Sequence, residues 1–173
     1  MVVAFRISTV TEVSDPAAFA DLITEYYGVI LKKLEMAGGP TRYKPKDLAA
    51  SFLSDLDPFL APTGRLVLVH DANQRLVGCG TLHQSRPDAG ELKRLYVRPE
   101  ASGHRLGQAI FDLRIQAARD MGWKTLFVNA IRGNSDMLRI YEKMGFRYID
   151  RYPECSDPSE IAEFFIYMQY DLN

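Results

Sequence analysis

The chain has 173 residues with 21 basic and 22 acidic side chains, so its net charge is −1. This length suits one domain over residues 1–173, which can fold without a disulfide or a metal. The near-zero charge excludes non-specific nucleic-acid binding and a polybasic membrane surface. Two cysteines without CxxC spacing favour a reducing, cytoplasmic compartment. The sequence has neither a long apolar run nor a basic leader, so we expect no membrane span and no signal peptide.

The N-terminal part predicts one short strand followed by helices. Residues 3–8 alternate as a strand does. Asp15 followed by Pro16 predicts a helix start, with Asp as the cap and Pro at the first helical position. Apolar residues then recur at helical spacing, although Gly28 leaves open a division into two helices. A further helix is predicted over 46–56.

The remainder of the chain alternates strands with helices. Strands are predicted at 65–70, 75–82, 91–97, 125–129, 146–149 and 164–170, with helices at 105–121 and after 134–136. Sequential strands joined by short turns indicate antiparallel pairing, whereas the strand–helix–strand unit at 91–129 indicates a parallel crossover. The predicted fold is therefore mixed α/β, with a mostly antiparallel central sheet, helices on both faces and one parallel strand pair.

The segment from Val97 to Gln108 joins a strand to a helix through a loop with little side-chain bulk. The first N–H groups of a helix lack internal partners and carry positive potential, so such a turn can hold a phosphate. Gly103 and Gly107 permit close approach of the backbone. The alternative is a turn whose glycines serve only its geometry, since their spacing matches neither GxGxxG nor GxxxxGK[ST].

A second segment, from Asn134 to Phe146, predicts a helix with Tyr141 near its end. This placement would set a phenol at a definite depth beside the sheet. Taken alone, this pattern favours an ordinary core aromatic over an acid at Tyr141. Histidine positions in the chain lack metal-ligand spacing such as HxxxH, so we expect no metal site.

The two segments together resemble the GNAT superfamily of acyl-CoA N-acyltransferases. The family loop pattern is V-x-P-x-x-[RQ]-G-x-G-[IL]-[GA], and its matched positions here are Val97, Pro99, Ser102, Gly103, Arg105, Leu106 and Gly107. The family helix pattern is N-x-x-A-x-x-[LI]-Y-x-K-x-G-F, and its matched positions are Asn134, Met137, Ile140, Tyr141, Lys143, Gly145 and Phe146. The match in spacing and element order runs from residue 65 to residue 150.

The resemblance implies a parallel strand pair that splays to hold acetyl-CoA, and transfer of its acetyl group to a primary amine. The acceptor would be a small molecule, an amino acid or a peptide. Pantetheine would meet the backbone of Leu95, Tyr96 and Val97, with Asn134 on its other side. The pyrophosphate would lie on Ser102, Gly103, His104, Arg105, Leu106, Gly107 and Gln108. A non-catalytic acyl-CoA-binding module of the same fold is the alternative.

Three positions depart from the family patterns. Ser102 stands where Arg or Gln is usual, and Arg105 stands where Gly is usual. Because the loop would bind through backbone N–H groups, these changes lower affinity without removing the site. Met137 replaces Ala and would narrow the channel for the acyl group.

The resemblance also implies catalytic roles. Tyr141 would be the general acid that protonates the leaving sulfur. An alkyl ammonium has a pKa of about 10.4, so a base is useful at neutral pH. Glu91 holds the position of a water-mediated general base in some members. Strand alternation places Glu91, Lys93, Leu95 and Val97 on one face. The alternative is a solvated glutamate at a strand start beside Gly90.

The acceptor pocket and the assembly state are less defined. Tyr26, Tyr27 and Tyr43 lie where this family usually forms its acceptor pocket. An acidic loop containing Glu154, Asp157 and Glu160 would attract a cationic acceptor or would simply be solvated. His83 is expected at the surface, with a position facing the substrate as the alternative. The apolar run 164–168 fits either a homodimer contact or a core strand.

Overall fold

A computed structural model describes residues 4–172 of the chain. It contains a seven-stranded sheet and four α-helices. The strands are β1 (Arg6–Val10), β2 (Gly64–His70), β3 (Leu76–Arg86), β4 (Ala89–Val97), β5 (Thr125–Ile131), β6 (Arg147–Ile149) and β7 (Phe165–Asp171). The helices are α1 (Pro16–Met36), α2 (Pro45–Ser54), α3 (Leu106–Asp120) and α4 (Ser135–Lys143).

The strands lie in the order β1-β2-β3-β4-β5-β7-β6. Every neighbouring pair is antiparallel except β4 and β5, which are parallel. The predicted mixed, mostly antiparallel sheet with one parallel pair is therefore confirmed. The first strand begins three residues later and ends two residues later than the predicted 3–8, and Val3 falls outside the described residues.

Helix α1 begins as the sequence predicts, since Asp15 Oδ1 accepts from the Ala18 N–H at 3.0 Å. The helix then continues through Gly28, so the division into two helices is wrong. A glycine inside a helix costs about 1 kcal/mol relative to alanine. The buried residues Phe19, Leu22 and Ile23 anchor the helix on the sheet and outweigh that cost.

Helices cover both faces of the sheet. On one face, α1 and α2 bury Phe19 and Phe52 against Leu66 of β2. On the other face, α3 buries Ile110 against Val67. Helix α4 joins the α3 side of the molecule, where Tyr141 belongs to the same apolar cluster as residues of α3. The prediction of helices on both faces is confirmed.

The parallel pair β4–β5 is short. Its ladder joins only residues 89–91 to residues 125–127. Beyond these three positions, in residues 92–97, the edge of β4 that faces β5 has no strand partner. A gap therefore opens between two strands in the middle of the sheet, as the family resemblance implied.

Strand β4 contains a bulge within this unpaired stretch. Thr81 lies opposite Lys93 and Cys79 lies opposite Tyr96, so β4 carries one residue more than β3 between these pairs. Arg94 lies in this bulge, and its backbone has a left-handed φ of 53°. The predicted alternation is consequently wrong beyond Lys93: Leu95 and Val97 pack on the α3 side, opposite to Glu91.

Strand β7 lies between β5 and β6 and is hydrogen-bonded on both sides. Its residues Tyr167 and Met168 are buried. Core packing therefore accounts for the apolar run at 164–168. Among the described residues, no helix is long and apolar enough to cross a membrane.

Candidate active site

A cavity of about 680 Å³ lies between α1, α2 and the gap in the sheet. One wall is formed by β4 residues, including Leu95 and Tyr96, and the opposite wall by α4 residues, including Asn134 and Tyr141. The predicted acceptor residues Tyr26, Tyr27 and Tyr43 also line it. The structure thus places strand β4, the helix that carries Tyr141 and these three tyrosines around one cavity.

The predicted phosphate loop lies at the end of β4, just beyond the cavity. The N–H groups of residues 103–108 have no backbone acceptor within the part of the chain that the structure describes. Ser102, Gly103, His104, Arg105 and Gln108 are exposed, Gly107 is half-buried, and the side chain of Leu106 is buried. Six consecutive free N–H groups at the start of a 15-residue helix form a site suited to an anion.

Backbone conformation explains one departure from the family pattern in this loop. Arg105 has a φ of 56° and Gly103 a φ of 83°, both in the left-handed region. Glycine adopts that region without steric cost, so the usual family glycine suits position 105. Arg105 keeps the same backbone path, and its N–H stays available.

An ion pair fixes the loop to the helical face. The guanidinium of Arg98, 8% exposed, donates to both carboxylate oxygens of Glu25 in α1, at 2.9 and 2.8 Å. It also donates to the carbonyl oxygen of Leu76 at 3.0 Å. A bidentate pair of this kind holds both partners in one orientation. The end of β4 is therefore tied to α1 and β3.

Tyr141 lies in the cavity wall with its ring packed against Phe146 at 5.3 Å. Burial raises the pKa of Tyr141 to about 12, although Arg114 nearby partly opposes the rise. Within residues 4–172 its hydroxyl has no hydrogen-bond partner. The phenol is therefore protonated at neutral pH and free to donate into the cavity.

Asn134 is the residue that precedes α4, and its side chain makes no capping bond. Asn134 instead lines the cavity with an uncommitted amide. That position is consistent with binding an extended ligand in the gap.

Glu91 is fully buried within β4, so the solvated alternative is wrong. Strand β4 starts at Ala89, earlier than predicted. Gly90 lies under Trp123, where a Cβ atom would come within 2.1 Å of the indole ring. Tyr152 donates a hydrogen bond to Glu91 Oε1. Glu91 does not line the cavity, but Ser156 does, and its hydroxyl lies 3.4 Å from Glu91 Oε2.

Lys93 and Asp157 separate Glu91 from the cavity. Lys93 Nζ lies 2.8 Å from Asp157 Oδ1 and 3.6 Å from Glu91 Oε2. Burial alone would lower the pKa of Lys93, but the two carboxylates outweigh burial and raise it. Burial likewise opposes ionisation of Asp157, and Lys93 outweighs that effect and lowers its pKa. Of the three acidic residues predicted in this loop, only Asp157 lines the cavity.

His83 was expected at the surface, and that expectation is wrong. Its side chain is 12% exposed, its Nε2 lies 3.2 Å from Glu91 Oε2, and its ring packs against Phe59 at 4.8 Å. Burial, reinforced by Lys93 and Arg94, lowers the pKa of His83 to about 4. The His83 imidazole is therefore neutral at neutral pH, with its Nε2 beside the Glu91 carboxylate.

Two arginines of the cavity wall were missed by the sequence analysis. Arg94 occupies the bulge, and Arg114 of α3 is 1% exposed. Burial lowers the pKa of Arg114 to about 10, so it remains a cation at pH 7. The available signal was Gly80 in β3, where a Cβ would lie 3.1 Å from the Arg114 guanidinium carbon.

The family model for the acetyltransferase (GNAT) family matches residues 29–146. The chain belongs to the GNAT family. Its membership agrees with the fold and with the two segments that carried the resemblance.

Individual relatives and solved structures agree with this membership. The chain is 26% identical over 113 residues to an uncharacterized N-acetyltransferase of Schizosaccharomyces pombe, covering 65% of this chain and just under two thirds, 66%, of that protein. A Streptococcus agalactiae acetyltransferase superposes with a TM-score of 0.75 at 18% identity, over 97% and 98% of the two chains. The PaiA N-acetyltransferase of Thermoplasma acidophilum, solved with coenzyme A, superposes with a TM-score of 0.67 at 15% identity, over 97% and 99%.

Proposed function

We propose that this chain, acting as one domain, transfers an acetyl group from acetyl-CoA directly to a primary amine. The observation that carries the proposal is the gap between β4 and β5, which exposes strand backbone between six free N–H groups and the free hydroxyl of Tyr141. The enclosed cavity beside α1 favours a small acceptor, either a small molecule, an amino acid or a peptide N-terminus. Coenzyme A bound to a GNAT neighbour supports the choice of donor.

The donor would be held largely by backbone groups. The N–H groups of residues 103–108 would bind its pyrophosphate, beside the hydroxyl of Ser102, whose own N–H is bonded to the Pro99 carbonyl oxygen. The unpaired edge of Leu95, Tyr96 and Val97 would pair with its pantetheine amides. Asn134 would bind pantetheine from the α4 side. Backbone binding explains why the side chains of Ser102 and Arg105 can differ from the family pattern.

The bound donor supplies a thioester carbonyl for attack by the amine. Ser156 would pass the amine proton to Glu91, which Tyr152 and His83 hold in place. A backbone N–H of Tyr96 or Val97 would stabilise the oxyanion. Tyr141 would donate its proton to the departing sulfur. Because the pKa of Tyr141 is about 12, full transfer occurs only as negative charge builds on sulfur.

The test measures thiol release from acetyl-CoA with a panel of primary amines, beside calorimetry of CoA binding. We expect CoA to bind and at least one amine to release thiol in stoichiometric yield with its acetylated product. CoA binding without thiol release by any amine would instead support the non-catalytic module. The absence of CoA binding would overturn both functions.

A further inference from the structure

Arg94 is held rigidly in the wall of the cavity. Its guanidinium carbon lies 3.9 Å from the centre of the Phe52 ring and 4.8 Å from that of Phe59. Its Nε donates to the Tyr27 hydroxyl at 3.2 Å. The backbone of Arg94 is left-handed, at φ 53°, a conformation that costs about 1–3 kcal/mol for a residue with a side chain. Such strain persists where the surrounding structure fixes a residue for binding.

The charged end of this side chain lacks a counter-ion. Nη1 of Arg94 is buried and has no hydrogen-bond partner among residues 4–172. No carboxylate of those residues lies within ion-pair distance of the guanidinium. A buried donor without an acceptor costs about 1–3 kcal/mol, and more for a charged group. The wall therefore holds a cation that a ligand can satisfy.

The neighbouring charges do not compensate Arg94. Asp157 is already paired with Lys93 at 2.8 Å. Asp55 and Asp136 also line the cavity, but both are exposed at its rim. Arg114 adds a fully buried cation, whose donors bond to backbone carbonyls. The inner wall thus carries an excess of positive charge.

We propose that the amine acceptor carries a carboxylate and that Arg94 binds it. The inference rests on the proposed acetyl transfer and names the class of its acceptor, an amino acid or a related amino carboxylate. The planar guanidinium fork matches a carboxylate, and the stacking on Phe52 and Phe59 fixes its plane in advance. Tyr27 then acts as a positioning residue, since it accepts from Nε and leaves the terminal nitrogens for the ligand.

The test compares matched acceptors that differ only in this group, an α-amino acid and its carboxamide, at equal concentrations of free amine. We expect the wild type to prefer the acid by at least tenfold in kcat/KM. Arg94→Gln should lose that preference, mainly through a higher KM for the acid. Arg94→Lys keeps the charge without the fork and should recover part of the preference.

A matched control is Arg86→Gln. Arg86 also lies over an aromatic ring, that of Phe127 at 5.2 Å, but it has carboxylate partners and does not line the cavity. The Arg86→Gln variant should prefer the α-amino acid over its carboxamide as strongly as the wild type does. Equal rates on acid and amide in the wild type, or an unchanged preference in Arg94→Gln, would overturn the inference while leaving acetyl transfer in place.

A binding measurement separates this inference from the proposed function. Calorimetry in the presence of CoA uses 3-phenylpropionate, a carboxylic acid without an amine. We expect binding to the wild type and at least a tenfold weaker affinity in Arg94→Gln, with CoA affinity unchanged. This result would support the carboxylate site even where no amine is acetylated. Equal affinities in both proteins, or weaker CoA binding in Arg94→Gln, would overturn it.

Discussion

Nη1 of Arg114 lies 2.9 Å from the carbonyl oxygen of Thr81, across the interface between α3 and the sheet. The same nitrogen lies 3.2 Å from the carbonyl oxygen of Lys93, at the edge of the bulge. The bulge interrupts the regular ladder between β3 and β4. Arg114 donates hydrogen bonds to the carbonyl oxygens at the interruption. A buried cation thus substitutes for strand pairing where the cavity requires the strand to deviate.

We therefore expect Arg114→Met to be strongly destabilising. Hydrogen bonds from a charged donor contribute about 1.5–3 kcal/mol each, and the two carbonyls remain buried in the variant. Urea unfolding should show a loss of about 3 kcal/mol or more. Arg119→Met, on an exposed position of the same helix, should lose less than about 0.5 kcal/mol. Similar losses in both variants would contradict a role for Arg114 in the bulge.

Tyr141→Phe should separate the proposed acid from a core aromatic. The phenylalanine ring keeps the contact with Phe146, and the lost hydroxyl has no protein partner to leave unsatisfied. Stability and CoA affinity should therefore hardly change. Positioned acid catalysis contributes about 10²–10⁴-fold, and kcat should fall by about that factor. A kcat within twofold of wild type, on an acceptor for which chemistry limits the rate, would exclude the assignment.

Glu91→Gln should weaken turnover mainly at low pH. An alkyl amine arrives mostly as its ammonium form below pH 9, so the need for a proton acceptor is greatest at pH 6. We expect kcat/KM to fall by about tenfold or more at pH 6 and by less at pH 9. Glu154→Gln, which changes a carboxylate outside the cavity, should leave the pH profile unchanged. A constant ratio of variant to wild type from pH 6 to 9 would make Glu91 structural.

Gly107→Val tests the phosphate loop. A Cβ atom at Gly107 meets nothing within 4 Å in the protein, so the variant should fold with near-normal stability. The added side chain would occupy the space beside the free N–H groups, and we expect calorimetry to detect no CoA binding. Gly28→Val is the matched control, since Gly28 is also a helical glycine with open space around its Cβ. CoA binding by the Gly107 variant would place the phosphates elsewhere.

His83 should make stability depend on pH. Burial, together with Lys93 and Arg94, lowers its folded-state pKa to about 4, against about 6.5 in the unfolded chain. Below pH 6.5 His83 binds a proton in the unfolded state but stays neutral in the folded state. The free energy of unfolding therefore falls as the pH falls from 6.5 towards 4. This difference between the folded and unfolded pKa of His83 corresponds to a loss of about 2 kcal/mol in the free energy of unfolding by pH 5.

The measurement compares urea unfolding at pH 7 and pH 5 in the wild type and in His83→Gln. The variant lacks the titrating group, so its loss between the two pH values should be smaller by about that amount. A titration of the His83 imidazole by NMR gives the pKa directly. Equal losses in both proteins, with an imidazole that titrates near 6.5, would show that His83 is solvated in solution.

Much of the fold could be predicted because local chemistry and tertiary packing agree along most of the chain. Asp15 and Pro16 specify the start of α1, and the apolar run of β2 specifies a strand that is buried on both faces. Gly28 misled the prediction because its local cost is small beside the burial of the α1 face on the sheet. Local helix propensity does not predict that burial, because the burial depends on contacts between distant parts of the chain.

The candidate site was predictable only where backbone groups define it. The phosphate loop and Tyr141 follow from spacing along one segment each. The bulge at Arg94 does not, because it depends on donors from Arg114, twenty positions later and on another element. The burial of His83 and Glu91 likewise depends on Tyr152 and Phe59, which reach them from loops that no periodic pattern connects to β4.

The extra residue in β4 makes this site sensitive to chain length as well as to composition. Deleting one residue between Lys93 and Tyr96 would restore a regular ladder with β3. Lys93 would stay opposite Thr81 and Tyr96 opposite Cys79, so the flanking side chains would keep their faces. The single residue left between them would face α3, and the cavity would lose the guanidinium of Arg94. Insertions and deletions at this point of β4 would therefore harm the site more than most substitutions, although the resulting sheet would look more regular.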